Sequence, residues 1–171
     1  MYKRQVELYS SRLKKWGFDP LPIYYEPPET PHSDPELAKE YSLILTSWKR
    51  RFYRHSGGRQ IASLRTSHPE PVTMIHPETA GKLGITEGDW VYIETRRGRI
   101  RQKAALTDSI DPRVVGVDYG WWFPERGASE VYGWAESNLN VLTNAKPPFN
   151  REIGSANLRG FLCKVYPDKS G

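Results

Sequence analysis

Apolar positions along the chain fall in short runs that alternate with polar residues and are cut by glycine and proline, the pattern of strands rather than of long helices. The densest local signal is Val72–Ile100, VTMIHPETAGKLGITEGDWVYIETRRGRI. Val72–Ile75 reads as a strand, and His76 sits where a helix cap belongs. Pro77 suits the first helical position, where its missing N–H is not needed. Ala80 and Leu83 share a face. Gly84 supplies the left-handed residue that ends the helix, with Ile85 packing back across it. Thr86-Glu87-Gly88-Asp89 then turns the chain into an alternating strand, Trp90–Thr95, and Arg96-Arg97-Gly98-Arg99 reads as a hairpin turn into Ile100, continued by Gln102–Leu106. This unit is scaffold and carries no catalytic group.

Around it the pattern predicts a short strand at Val6–Ser10 and a turn of helix over Ser11–Trp16, capped by Ser10 or Ser11 and stopped at Gly17. Asp19–Pro35 holds Pro20, Pro22, Pro27, Pro28, Pro31 and Pro35, an extended arm with little regular structure. Pro35–Lys39 adds a helical turn. Tyr41–Leu45 is a strand that runs into the loop Thr46–Gly58, rich in hydroxyls, aromatics, arginine and glycine. Arg65–Pro71 is a turn-rich link between the apolar runs Ile61–Leu64 and Val72–Ile75. Val114–Val117 and Leu158–Val165 complete the strands, the last carrying Arg159 and Lys164. Glu125–Ala135 and Ala145–Ser155 read as loops.

The chain has 171 residues, 37% of them hydrophobic and 12% aromatic, enough for one domain with an arm and a real core. No apolar run approaches membrane-spanning length. The basic Met1–Glu7 has no apolar stretch behind it, so no secretory signal is expected and the chain is read as cytoplasmic. The single Cys163 excludes an internal disulfide and a cysteine-ligated cluster or zinc site.

A net charge of +5 concentrates in two clusters. Arg96, Arg97, Arg99, Arg101 and Lys103 read as hairpin residues alternating into solvent. Lys49, Arg50, Arg51, Arg54, Arg59 and Arg65 surround the loop after the first strand, where guanidinium groups can grip phosphate and glycine lets backbone approach. On spacing alone this loop reads equally as an anion or heterocycle site and as a long surface loop. Gly120–Pro124, with Trp121, Trp122 and Phe123, reads as core or interface. The dense Asn138, Asn140 and Asn144 fit caps and turns, or recognition of a base edge. The basic residues do not interleave with an aromatic stacking face, so nucleic-acid binding is not expected. The four histidines match no metal spacing, with solvent or capping roles as the default, and phosphate-binding, dinucleotide and nucleophile-elbow motifs are absent.

Several segments, in order, resemble the molybdopterin dinucleotide-binding C-terminal domain of the molybdopterin oxidoreductases, the dimethyl sulfoxide reductase superfamily. They are Leu45-Thr46-Ser47 through His55-Ser56; His76, Pro77, Ala80, Leu83-Gly84-Ile85, Gly88-Asp89, Val91, Ile93, Gly98 and Ile100; Ile110, Pro112 and Val115; Asn140, Leu142 and Thr143; and Arg159–Val165. The resemblance covers about Tyr41 to Tyr166. It implies a mainly β fold with short helices, a six-stranded double-psi β-barrel of the aspartate-decarboxylase-like type over 41–171, preceded by the Pro-rich arm over 1–40. It further implies a bis-molybdopterin guanine dinucleotide carrying molybdenum or tungsten and shared with other domains. Carried over by residue, Thr46, Ser47, Trp48, Lys49, Arg50, His55 and Ser56 form the first cofactor loop, Trp122 is a candidate on the aromatic turn, Asn140 hydrogen-bonds the cofactor, and Arg159 stands where the family has a basic residue. Ser47 and Trp48 replace the family's frequent Gly-Arg.

The family's metal-ligating residue and iron–sulfur cysteines lie in domains outside this sequence. The chain is therefore expected to contribute binding to a larger oxidoreductase, with no complete active site of its own and with the remaining domains or a catalytic subunit as partner. The competing reading is a non-catalytic barrel that has lost its cofactor and docks through its arm. A small decarboxylase on the same barrel would need a self-cleaving Gly-Ser, and Gly154-Ser155 lies in a late loop.

Overall fold

In a computed structural model of the chain, which describes residues 6–146, 149–152 and 154–169, the Val72–Ile100 unit forms as its pattern predicts. Strand β2 (Val72–Ile75) leads into α4 (Pro77–Leu83), where His76 caps the start through Nδ1, which accepts from the Glu78 N–H at 3.2 Å. Gly84 adopts φ +66°, and Ile85 N–H reaches back to the Ala80 carbonyl at 2.9 Å, closing the helix. The Asp89 carboxylate accepts from both the amide and the hydroxyl of Thr86, fixing the corner before β3 (Trp90–Thr95), which is paired with β4 (Gly98–Leu106) across a two-residue turn, Arg96-Arg97.

The other strands are β1 (Leu43–Trp48), β5 (Val114–Asp118) and β6 (Phe161–Pro167). They close a barrel in the order β1-β5-β2-β4-β3-β6. Two pairs are parallel, β1 with β5 and β2 with β4, and the rest antiparallel. Exchanging β1 with β4, β2 with β5 and β3 with β6 maps this pairing onto itself, the internal two-fold of a double-psi barrel. Closure leaves no sheet edge. The interior is filled by Leu45, Ile75, Val91, Ile93, Ile100, Val115, Val117, Phe161, Cys163 and Val165, with Leu139 and Leu142 plugging one side. Burial pushes the Cys163 thiol far up, so it packs as an apolar group.

Short helices α1 (Ser11–Lys15, capped by Ser10) and α2 (Pro35–Glu40, capped by Asp34) precede the barrel, α3 (Ala62–Ser67) lies between β1 and β2, and α5 (Trp134–Ser137) lies between β5 and β6. The arm between α1 and α2 is irregular, as its prolines predict, and is pinned to the hairpin by a buried carboxylate. Glu29 is buried and takes Arg97 through both terminal nitrogens, and Arg96 at 2.9 Å.

Five predicted boundaries differ. Val6–Ser10 is not a strand, because among the described residues no strand pairs with it; Val6 and Leu8 are exposed. The first strand runs on through Thr46, Ser47 and Trp48, which were expected in the loop, because β5 offers a parallel partner as far as Trp48 opposite Asp118. Arg65–Ser67 of the expected link is helical within α3, and most of Pro124–Gly133 is wound into 3-10 turns. Arg159 precedes β6, since Gly160 takes φ +76° and the strand begins at Phe161. Part of the Ala145–Ser155 loop, and the residues 1–5 on which the absence of a leader was judged, lie outside the described residues. Among the described residues no helix is long and apolar enough to cross a membrane.

Gln102 is fully buried in β4 and satisfies four polar groups: Oε1 accepts from the Thr73 hydroxyl and the Asp118 N–H, while Nε2 donates to the Asp118 and Ser137 carbonyls. Gln102→Leu would strand all four and is expected to cost about 3–5 kcal/mol. A urea midpoint unchanged in the variant would refute this account.

Candidate functional site at the β1–β5 end of the barrel

Parallel pairing brings the C-terminal ends of β1 and β5 together, and the candidate residues gather there. Along β1, Leu43, Leu45 and Ser47 alternate onto one face, the first two in the core, while Ile44, Thr46 and Trp48 take the other. Ser47 thus ends the inward row at the barrel mouth. It lines a cleft of about 120 Å³ with Lys49, Tyr119, Leu139, Asn140, Thr143, Leu158 and Arg159.

Each wall of the cleft has a physical anchor. Arg159 reaches it from the segment before β6, where its N–H is held by the Asn157 side chain and its Nε donates to Ser47 Oγ at 3.2 Å. Asn140 is carried by a 3-10 turn whose Leu139 and Leu142 are buried in the barrel, and Asn138 locks that turn. The Asn138 amide donates to the Trp121 carbonyl, while its oxygen accepts the Asn140 N–H. Thr95 ties the same segment to β3 through the Leu142 carbonyl. The terminal nitrogens of Arg159, the ammonium of Lys49 and the amide of Asn140 have no partner among the described residues, so they are donors facing open space.

A smaller hollow adjoins the cleft across Lys49 and Tyr119, lined also by Arg50, Tyr53, His55, Arg59 and Asp118. Asp118 is buried to 1% exposure and accepts from His68 Nε2 at 2.6 Å, Arg50 Nε at 3.0 Å and Val72 N–H at 2.9 Å. The Arg50 guanidinium also lies 4.0 Å over the Trp48 ring. Arg59, 2% exposed, donates to the His55 and Tyr119 carbonyls and stacks on Tyr53 and Trp121. Burial pushes its guanidinium down, opposed by the nearby Asp118 charge, and pushes the Tyr53 hydroxyl up. Its Nε has no partner among the described residues.

The loop Lys49–Arg59 is therefore fastened to the turn after β5. Besides the Arg50 and Arg59 contacts, Trp122 Nε1 donates to the Ser56 carbonyl, and Gly120 at φ +66° lies so close that a Cβ would come within 3.3 Å of the His55 and Ser56 backbone. His55 itself is held at φ +52°, a left-handed backbone that a non-glycine residue adopts only when its surroundings impose it.

Of the residues singled out from sequence, the structure brings Ser47, Lys49, Asn140 and Arg159 together in the cleft and Arg50 and His55 beside it. Thr46, Trp48, Ser56 and Trp122 line neither: Thr46 and Trp48 are on the outer face of β1, Trp48 supports Arg50, and Ser56 and Trp122 bond each other. Sequence reasoning did not single out Tyr119, Asp118 or His68, it named Thr143 only as part of a family motif, and it gave Arg59 no role beyond its charge. His68, expected in solvent or as a cap, is buried against Asp118 and the Trp121 ring. Its only sequence signal is a histidine between two strands.

The site is thus a donor-lined cleft at one end of a closed six-stranded barrel of the double-psi type. Residues 43–154 match the family model described as "Molydopterin dinucleotide binding domain". The chain belongs to this family, the dinucleotide-binding domain of the molybdopterin oxidoreductases of the dimethyl sulfoxide reductase superfamily. It is 39% identical over 168 residues to the acetylene hydratase of Syntrophotalea acetylenica, covering 95% of this chain and 23% of that protein. It is 39% identical over 149 residues to the dopamine dehydroxylase of Eggerthella lenta, covering 85% of this chain and 14% of that one. The solved acetylene hydratase from Pelobacter acetylenicus superposes with a TM-score of 0.85 at 38% identity, over 96% of this chain and 23% of that one. The chain thus spans under a quarter of the length of these relatives.

Gly120→Ala tests the fastening of the loop. With a left-handed backbone and no room for a methyl, it is expected to destabilise the protein by about 1–3 kcal/mol and to shift the amide resonances of His55 and Ser56. A variant with wild-type His55 and Ser56 amides would contradict the close approach.

Proposed function

We propose that this chain is the cofactor-clamping barrel of a molybdenum or tungsten oxidoreductase, gripping a molybdopterin guanine dinucleotide at the β1–β5 end. The observation that carries this reading is the convergence of Ser47, Lys49, Asn140 and Arg159, from three separated segments, on one cleft in a member of the dinucleotide-binding family. The donor set fits the group. A pyrophosphate asks for cationic and N–H donors, which Lys49, Arg159 and Arg50 supply, and a guanine or pterin edge asks for amide and hydroxyl partners, which Asn140, Thr143 and Ser47 supply. When bound, the cofactor would supply the redox-active metal and its dithiolene ligands. The residues of this chain bind and orient it, with Tyr119 and Leu158 forming the more apolar part of the cleft wall.

In this reading the chain divides into an arm over 1–40 and the barrel over 41–171, with the rest of the oxidoreductase as partner. The arm favours such a partner, because Val6, Leu8, Trp16, Ile23, Tyr24 and Tyr25 are all exposed on it while Glu29 holds it to the hairpin. The same exposure is what a barrel acting only as an interaction module would display, and cofactor retention separates the two. The relatives are named for a hydration and a dehydroxylation. A barrel common to both fits a role in holding the cofactor, with the reaction chosen elsewhere.

The test is guanine nucleotide released on denaturation after the chain is purified together with the remaining oxidoreductase domains. Asn140→Ala and Arg159→Ala are each expected to weaken cofactor retention about tenfold, the scale of one lost hydrogen bond to a charged group. Retention unchanged in both variants and in Lys49→Ala would remove the cleft from the cofactor site. A wild-type complex free of guanine nucleotide would favour the interaction module.

A further inference from the structure

The candidate site contains a cation whose direction is set from behind. Arg50 is held on two sides: its ring-facing plane lies on Trp48, 4.0 Å from the ring centre, and its Nε edge is bonded to Asp118 at 3.0 Å. What remains is the outer edge of the guanidinium, two terminal nitrogens with no partner among the described residues, beside Lys49 and His55 in the hollow that adjoins the cleft. A planar fork with one edge fixed is prepared for bidentate contact with a phosphate oxygen pair, at little further cost in side-chain entropy.

We propose that Asp118 is the positioning residue of this site, orienting Arg50 toward a phosphate of the bound dinucleotide; this rests on the reading of the cleft as the cofactor site. Asp118 is itself immobilised from every side. His68 Nε2 and the Val72 N–H occupy the oxygen that Arg50 leaves, and Gln102 holds its backbone N–H and carbonyl. Among the described residues Asp118 is also the one carboxylate lining a hollow that is otherwise bordered by Lys49, Arg50, Arg59, His55 and the rings of Tyr53 and Tyr119. Without it Lys49, Arg50 and Arg59 would repel one another and Arg50 would swing toward solvent.

The experiment is a double-mutant cycle on the full chain, with GDP as the probe because it carries the guanine and pyrophosphate of the dinucleotide. Arg50→Ala and Asp118→Asn are each expected to weaken GDP binding about tenfold. If Asp118 acts through Arg50, Asp118→Asn has no further effect once Arg50 is alanine. An equal loss in both backgrounds would assign Asp118 a merely structural role and overturn the inference, leaving the cleft reading intact. GDP binding indifferent to Arg50→Ala would overturn the inference alone, and GDP binding that is absent would overturn the cleft reading and the inference with it. A second measurement needs no variant at Asp118: in the wild-type chain without ligand, the Arg50 Nε proton should exchange slowly and give its own sharp resonance. Exchange as fast as that of Arg51, which is exposed and has no side-chain partner among the described residues, would also overturn the proposal.

Discussion

A carboxylate at 1% exposure stays charged only if its lost hydration is replaced by donors, and Asp118 has replaced it with groups drawn from three different parts of the chain. His68 comes from the end of α3, Val72 from the start of β2, and Arg50 from the loop after β1. Because none of these donors can leave without exposing the others to an unpaired charge, the four segments behave as one unit. Gln102 extends that unit into β4 and, through the Ser137 carbonyl, to the segment that carries Asn140. The candidate site is therefore built on a polar network buried behind the strand ends. The apolar core closes the barrel, and this network aims its loops.

Strand alternation divides the work between neighbouring residues. Ser47 ends the inward row of β1 and meets Arg159 at the cleft, whereas Trp48, one residue on, faces outward opposite Asp118 and supports Arg50. A one-residue slip of β1 would exchange these two roles and bring Ile44 into the core row. Register along β1 is thus a functional constraint as well as a packing one, and it is fixed by the parallel ladder from Ile44–Val114 to Trp48–Asp118.

What could be read from the sequence follows from how far each interaction reaches along the chain. The Val72–Ile100 unit was legible because its determinants are local: a capping His76 beside Pro77, a left-handed Gly84, an Asp89 three residues from Thr86. The strands β2 to β5 were visible in their alternation, and the family-bearing motifs brought out Ser47, Lys49, Asn140 and Arg159. The support behind them was not legible. His68 and Arg50 meet Asp118 across 50 and 68 residues, and Arg59 meets Tyr119 across 60. A buried histidine and a solvated one look alike until the strand that holds the carboxylate is in place. The end of β1 was missed for the same reason, since Thr46-Ser47-Trp48 has no strand pattern of its own and is extended because β5 lies alongside it.

The two basic clusters show why position in the fold, rather than charge count, distinguishes a site from a surface. In the hairpin cluster each cation is answered locally: Arg96 and Arg97 by Glu29, Arg101 by Asp168, Lys103 by Glu70, and Arg99 by the ring of Tyr92 and the hydroxyl of Tyr166. These residues do not simply alternate into solvent; they bind the arm and the barrel wall together, and little field is left over. In the loop cluster Arg50 has Asp118 and Arg65 has Glu125, but Arg59 has only carbonyls and Lys49, Arg51 and Arg54 have no carboxylate among the described residues. Of these two clusters, it is the one at the end of the barrel where β1 and β5 finish, beside the cleft, that keeps uncompensated positive charge. An anion approaching the protein would be drawn to that end before any hydrogen bond selects it.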